Sequence, residues 1–258
     1  MVLVGGQAIA FWLDRFAIDT QGLLVSQDGD VLGTLTQDQG IAKALSGTLI
    51  KPRQKSLTSL TAQIRFPRSH GKYSNIDFLH MLFTTRGLHN SVEFTGKVKQ
   101  NSIDVQLHTG ARFQVMCPVD LLESRMHNAL GLIDDKGPHV VTQLEWAVKI
   151  LHYAFLAILS RQAEPEIFET SEVERTLENQ LDVRIGKLVE QVFELGKRGA
   201  GKQVLNAYGI EVLDAIPCDA IEAQNPSTKQ QLDVVRKYAA RRALLANRGA
   251  NQVRPQPD

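Results

Sequence analysis

Three short stretches carry residues whose types and spacing suit phosphate or metal chemistry. The first is Val4-Gly5-Gly6-Gln7, where two glycines join a strand-like apolar run to a helix-like one. Glycine lets a ligand approach the backbone, and a helix start offers free N–H groups and the positive end of the helix dipole, so phosphate is the natural guest. The same pair also reads as the steric requirement of a strand-to-helix turn. The second is Ser26-Gln27-Asp28-Gly29-Asp30-Val31-Leu32-Gly33. In an extended segment Asp28 and Asp30 project to one face. Two adjacent carboxylates call for a positive neutraliser, which a pair of Mg²⁺ ions bridged to substrate phosphates would supply. Asp-Gly is also a favoured hairpin pair, so an exposed turn is the competing reading. The third is Asn75-Ile76-Asp77-Phe78-Leu79, where Asp77 interrupts an apolar β-type run. It would serve as a third metal-binding carboxylate or as a base for an attacking hydroxyl. Asp104, in Ser102-Ile103-Asp104-Val105, competes for that role. For either residue, a solvent-facing place on an edge strand is the alternative.

The elements that must position these residues change character near residue 118. Before it, short β-rich runs alternate with turn signals: MVLV, LLVS, TAQIRF, NIDFLHML, VEFTGKVK and IDVQLHTGARFQVM. Between the first two lies a helix from Gln7 to Arg15, whose Ile9, Trp12, Leu13 and Phe16 recur at helical spacing and should pack on a sheet. A second helix is expected from Gln37 to Leu45, ended by Gly47. After Pro118, Asp120 and Glu123 form a D-x-x-E pattern that reads as a capping box for a helix through Asn128. Val141 to Ser160 is a core helix carrying Trp146, Tyr153 and Phe155, and further helices are expected at Glu172 to Lys197 and Thr228 to Asn247. The fold class is α+β: a mixed sheet with flanking helices over 1–118, a helical domain over 119–248, and a disordered tail over 249–258.

Composition narrows the classes. The 258 residues include 29 basic and 28 acidic side chains, a net charge of +1, which removes any global electrostatic case for nucleic acid while leaving room for a local basic patch. Two distant cysteines, Cys117 and Cys218, have no zinc or disulfide-scaffold spacing and fit a reducing, cytoplasmic setting. The most apolar stretch, Ala147 to Leu159, is broken by Lys149 and His152 and is shorter than the roughly 20 residues a membrane span needs, so no membrane partner is expected. The strand-like start at Met1 suggests a natural start further upstream. Thr228 to Arg248 is basic, with Arg236, Lys237, Arg241, Arg242 and Arg248 relieved by Asp233, and would meet RNA, an acidic protein partner or water. Arg125 and Lys136 are candidate positive charges for a triphosphate, or ordinary solvated cations.

Taken in order, Gly5-Gly6-Gln7-Ala8, the Phe11-Trp12 helix, Ser26, Asp28 and Asp30, and then Ile76-Asp77-Phe78-Leu79 form a pattern. With it the N-terminal part resembles the polymerase-beta-like nucleotidyltransferase superfamily. The likeness is to its small bacterial members, in which GGxA and a helix precede a strand with S-x-D-x-D. Pro118-Val119-Asp120-Leu121-Leu122-Glu123-Ser124-Arg125 with Asn128 is similar to the segment that follows the sheet in those members, so the likeness spans about residues 1–150. The resemblance implies a nucleotidyltransferase-like sheet and a Mg²⁺-dependent transfer of a nucleoside monophosphate from a nucleoside triphosphate to a hydroxyl on a protein, an RNA or a small molecule. It implies phosphate binding by Gly5, Gly6, Gln7 and Ser26, two Mg²⁺ ions held by Asp28, Asp30 and Asp77, and a setting in toxin–antitoxin or phage-defence pairs. Gly29, between the two acids where the family carries a bulky apolar residue, marks the alternative: a catalytically decayed protein on the same fold that binds a nucleotide or a partner.

Overall fold

Val2 and Val4 are buried and Leu3 is half-buried, so the chain opens on a short strand, β1 (Val2–Val4). The computed structural model describes residues 1–20, 28–33, 35–53, 58–68, 72–106, 110, 112–160, 177–200 and 202–250. Ser26, the LLVS run and residues 251–258 of the expected tail lie outside them. Helix α1 (Gly5–Arg15) follows β1 without a linker. Its Ile9, Trp12 and Leu13, at helical spacing, are all buried, and the Trp12 indole Nε1 donates to the Met116 carbonyl at 2.8 Å.

The sheet has seven strands in the order β3-β4-β5-β2-β1-β7-β6. They are β2 (Gly29–Leu32), β3 (Thr48–Ile50), β4 (Leu60–Pro67), β5 (Tyr73–Leu79), β6 (Ile103–Gln106) and β7 (Arg112–Val115), together with β1. The pairs β2–β5 and β1–β7 are parallel and the other four antiparallel, so the sheet is mixed. Helix α2 (Leu35–Ala44) contributes Ala42 to a cluster with Val31, Ala62, Ile64 and Phe78. Because strand side chains alternate, this cluster leaves Asp30, Gln63 and Asp77 on the opposite face.

Three expectations are corrected here. VEFTGKVK belongs to a helix, α3 (Leu88–Gln100), not to a strand. Its buried residues Ser91, Phe94, Thr95 and Val98 follow i, i+3, i+4, i+7, whereas Val92 is 57% exposed. Asp120 and Glu123 do not form a capping box, because α4 (Pro118–Gly131) begins earlier, with Pro118 in its first turn and Cys117 at the N-cap. Both carboxylates instead turn to the Lys97 ammonium, each at 2.9 Å, while Asp120 also accepts from the Cys117 thiol at 3.2 Å. Tyr153 is 45% exposed, unlike the buried Trp146 and Phe155.

The chain forms two compact units, with Met1–Ile150 in the first and the described residues from Leu151 onward in the second. The first unit thus runs past residue 118. It takes in α4, which packs on α1, the short α5 (Ile133–Lys136) and the start of α6 (His139–Leu159). The second holds the rest of α6, α7 (Leu177–Gly199), α8 (Gln203–Ala207), α9 (Cys218–Gln224) and α10 (Lys229–Ala250). It is helical in every described element, with Ile185, Val189, Val192 and Leu195 forming the buried stripe of α7. Helix α10 continues to Ala250, past the expected end of the helical domain. The molecule is therefore α+β, a seven-stranded mixed sheet with flanking helices followed by C-terminal helices. No helix among the described residues is long and apolar enough to cross a membrane.

Candidate functional site

The Asp28–Leu32 stretch is not a hairpin turn. Gly29–Leu32 is an interior strand lying between β1 and β5. Its register sets Asp30 opposite Val4 on one side and Asp77 on the other. Asp30 is therefore the meeting point of the first and third sequence features. Gly5, the residue after Val4, has φ +64°, a left-handed conformation that side chains resist, and an added Cβ would overlap the Asp30 carboxylate and lie 2.7 Å from its Cγ. Glycine is required at this position on both counts. Val4 enters α1 in an extended conformation, and no side chain caps the helix start; Gly6 is buried and Gln7 half-buried behind it.

Asp77 lies on an interior strand, which removes the edge-strand reading for it. One of its oxygens, Oδ1, accepts from Gln63 Nε2 at 2.8 Å, so the β4 neighbour fixes the carboxylate. Asp104 is exposed on β6, the edge strand three places from β2, and drops out of the constellation. Asp28 sits in the bend before β2, exposed, and its Oδ1 accepts from the Asn75 backbone N–H at 3.2 Å. Of the expected three carboxylates, Asp30 and Asp77 are thus register partners on paired strands, and Asp28 is exposed before them. Among the described residues no group of three or more His, Cys, Asp or Glu side chains is arranged to hold a metal ion.

Electrostatics single out Asp30. Burial raises its carboxyl above the ordinary 3.8, the charges of Asp77 and Asp28 push the same way, and Arg125 and Lys136 oppose them. Arg125 is the unusual member. It stands on α4, 7% exposed, and burial lowers its guanidinium to about 10 against the pull of Asp30. Its Nη1 donates to Gln143 Oε1 at 2.9 Å and its Nη2 to Ser124 Oγ at 3.0 Å, while Nε has no partner. A buried cation whose hydrogen-bond partners are neutral and whose Nε is orphaned is costly to keep, and such groups concentrate where charge must be handled. Lys136, on α5, is exposed.

Sequence reasoning missed Gln63 and Asn75. The signal was present in the alternation of TAQIRF and YSNIDF, whose polar members face one another when the strands pair as Gln63 with Asp77 and Arg65 with Asn75.

The basic segment expected to meet RNA or an acidic partner is neutralised from within at Arg236 and Arg242. On α10, Arg236 pairs with Glu222 and Asp219, both at 2.6 Å, and with Asp233 at 3.2 Å. Arg242 pairs with Glu211 at 2.8 Å. Lys237 and Arg241 are exposed, and the side chain of Arg248 lies outside the described residues.

No protein-family model matches this chain, and no curated protein or solved structure matches it.

Proposed function

We propose that the protein is a Mg²⁺-dependent nucleotidyltransferase on a nucleotidyltransferase-like fold, moving a nucleoside monophosphate from a nucleoside triphosphate to an acceptor hydroxyl. The observation that carries this reading is the contact of the Gly5 turn with Asp30, which has Asp77 beside it on the adjacent parallel strand. A phosphate-approach turn and a carboxylate pair then share one location, as a triphosphate bridged to metal requires.

The donor set suits a hard divalent cation: carboxylate oxygens on neighbouring strands, where burial first and the charges of Asp77 and Asp28 after it raise the Asp30 carboxyl. Mg²⁺ held by Asp28, Asp30 and Asp77 would neutralise triphosphate charge and favour ionisation of the acceptor hydroxyl. The chain's own residues do the rest. Gly6 lets phosphate oxygens come up to the amides of the first α1 turn, beside Gln7, while Gly5 makes room for Asp30 at the same turn. Arg125, buried, and Lys136, exposed, add positive charge that acts on Asp30. Gln63 holds one oxygen of Asp77 and keeps the carboxylate in place to receive the proton of the acceptor hydroxyl. The acceptor oxygen bonds to the α-phosphorus as the bond to pyrophosphate breaks. Catalysis of this kind is mostly positioning and charge neutralisation, so loss of one carboxylate should damage turnover far more than the fold.

Incubation with α-labelled nucleoside triphosphates, Mg²⁺ and cell extract tests the reading. Label should pass to an acceptor and fail to do so with Asp28→Ala/Asp30→Ala or Asp77→Ala. Triphosphate binding without transfer across the four nucleotides would support the second reading, a decayed nucleotide-binding protein. The engagement of Asp28 by the Asn75 amide favours that alternative.

A further inference from the structure

Between Asp38 and Asp77 the sequence holds seven Lys or Arg residues and no Asp or Glu. That run supplies β3, β4 and the first half of β5, so a chain of net charge +1 concentrates positive charge at one end of its sheet. Arg65, Arg68 and Lys72 are exposed, and among the described residues none has a carboxylate partner.

The register of β4 and β5 orders a polar row on the face opposite the apolar cluster. Gln63 lies opposite Asp77, Arg65 opposite Asn75, and Pro67 opposite Tyr73. The row therefore leads from the carboxylate pair to the end of the hairpin, about 13 Å over four residues of strand. At its outer end Tyr73 is 64% exposed, with the Arg65 guanidinium 5.7 Å from its ring centroid. Midway, the Asn75 side-chain oxygen is a buried acceptor with no hydrogen-bond partner.

An exposed aromatic ring beside a planar cation offers a stacking surface, unpaired cations follow a phosphate backbone, and an orphaned acceptor wants an N–H or O–H donor. Single-stranded nucleic acid presents all three complements together. An acidic polypeptide would meet the cations and could donate a backbone N–H to the Asn75 oxygen, but acidic side chains carry no flat ring to stack on Tyr73. We propose that this face of β4 and β5 binds single-stranded nucleic acid, with a base on Tyr73, phosphates at Arg65, Arg68 and Lys72, and a base or sugar donor at Asn75. Binding here does not depend on transfer chemistry at Asp30 and stands or falls separately from it.

Fluorescence anisotropy of the full chain with labelled mixed-sequence RNA and DNA strands of roughly 12 nucleotides, within the usual site sizes, tests this. Binding should weaken as salt rises. Tyr73→Ala should weaken it about tenfold while Tyr73→Phe keeps it. Arg65→Ala should weaken it across sequences and lower the salt slope by about one. Lys237→Ala/Arg241→Ala, on α10, should leave it unchanged. A preference for RNA or for DNA names the sugar, and either supports the proposal. It is overturned if the strands do not bind at low salt, or if Tyr73→Ala and Arg65→Ala bind like the parent. Displacement of the strand by polyglutamate or a free nucleoside triphosphate as readily as by unlabelled strand would also overturn it.

Discussion

Gly5 and Asp30 occupy space that only one of them can fill with a side chain: the position a Cβ would take at Gly5 is held by the Asp30 carboxylate. The glycine is needed less for turning the chain than for admitting the acid. Gly5→Ala should therefore cost about 1–3 kcal/mol, from its left-handed φ of +64° and the displaced carboxylate together. In Gly5→Ala/Asp30→Ala the steric part should be recovered, giving a coupling of about 0.5–3 kcal/mol in a denaturant-unfolding cycle. Additive losses would show that the two residues do not compete.

Asp30 sits in its site at a cost. Its folded carboxyl value lies above the unfolded one, so the native state binds the proton more tightly and stability falls as pH rises from the unfolded value of 3.8 through the raised folded one. Asp30→Asn should thus unfold at higher temperature than the parent at neutral pH, with the gain vanishing below about pH 4. The same substitution should abolish transfer. A stabilised, inactive variant is the signature of a group kept for chemistry. Thermal melts from pH 3 to pH 8 measure it; equal melting temperatures at neutral pH would contradict it.

Arg125 separates stability from function in the same manner. Burial lowers its guanidinium to about 10, so at neutral pH the charge is carried at a loss, and its Nε hydrogen bond is unmade. Arg125→Met should change unfolding free energy by no more than about 1 kcal/mol, because relief of the buried charge offsets the loss of its bonds to Gln143 and Ser124. Triphosphate affinity, followed by calorimetric titration, should fall at least tenfold. A large loss of stability with affinity intact would make Arg125 purely structural.

Lys97 does the opposite. Burial works to lower its ammonium value, but Asp120 and Glu123 outweigh burial and raise it. The Asp120 side chain is fully buried, and removal of its cation leaves that charge stranded. Lys97→Met should cost about 3 kcal/mol, the low end for a broken buried pair because Lys97 itself is 39% exposed. The folded value is the raised one, so the pair's contribution is complete below the unfolded lysine value of 10.5 and is lost as pH rises through the folded one. Urea unfolding at neutral pH and near pH 11 would report both effects.

Much of the first unit was legible because periodicity decides it. Ile9, Trp12 and Leu13 can share a face only on a helix, and the alternation in TAQIRF and NIDF admits only a strand. VEFTGKVK misled because Phe94 and Val98 are four apart, a spacing that satisfies both periods; Val92 on one side and Ser91 and Thr95 on the other settle it, and only the packed structure says which are buried. Asp120 and Glu123 looked like a local cap because their true partner, Lys97, is more than twenty residues away in sequence. The carboxylates were legible as residue types, but Asp28 could not be told from Asp30. Their difference arises from where β2 begins. The charge of α10 was legible, but the pairing of Arg236 and Arg242 was not, since Glu222, Asp219 and Glu211 lie on other segments of the chain.

The place of β1 in the sheet has a consequence for synthesis. It is three residues long and lies between β2 and β7, so one of its edges is filled by Gln114, Val115 and the Met116 N–H. A nascent chain that has just released Leu79 already contains Gly5, Asp30 and Asp77, yet the strand leading into the glycine turn still has an open edge. Parallel pairings over such separations form late, after the cost of closing a long loop has been met. The site thus matures with the last strand of the sheet, and a ribosome stalled before Phe113 would hold every acid of the constellation without the support that aligns them.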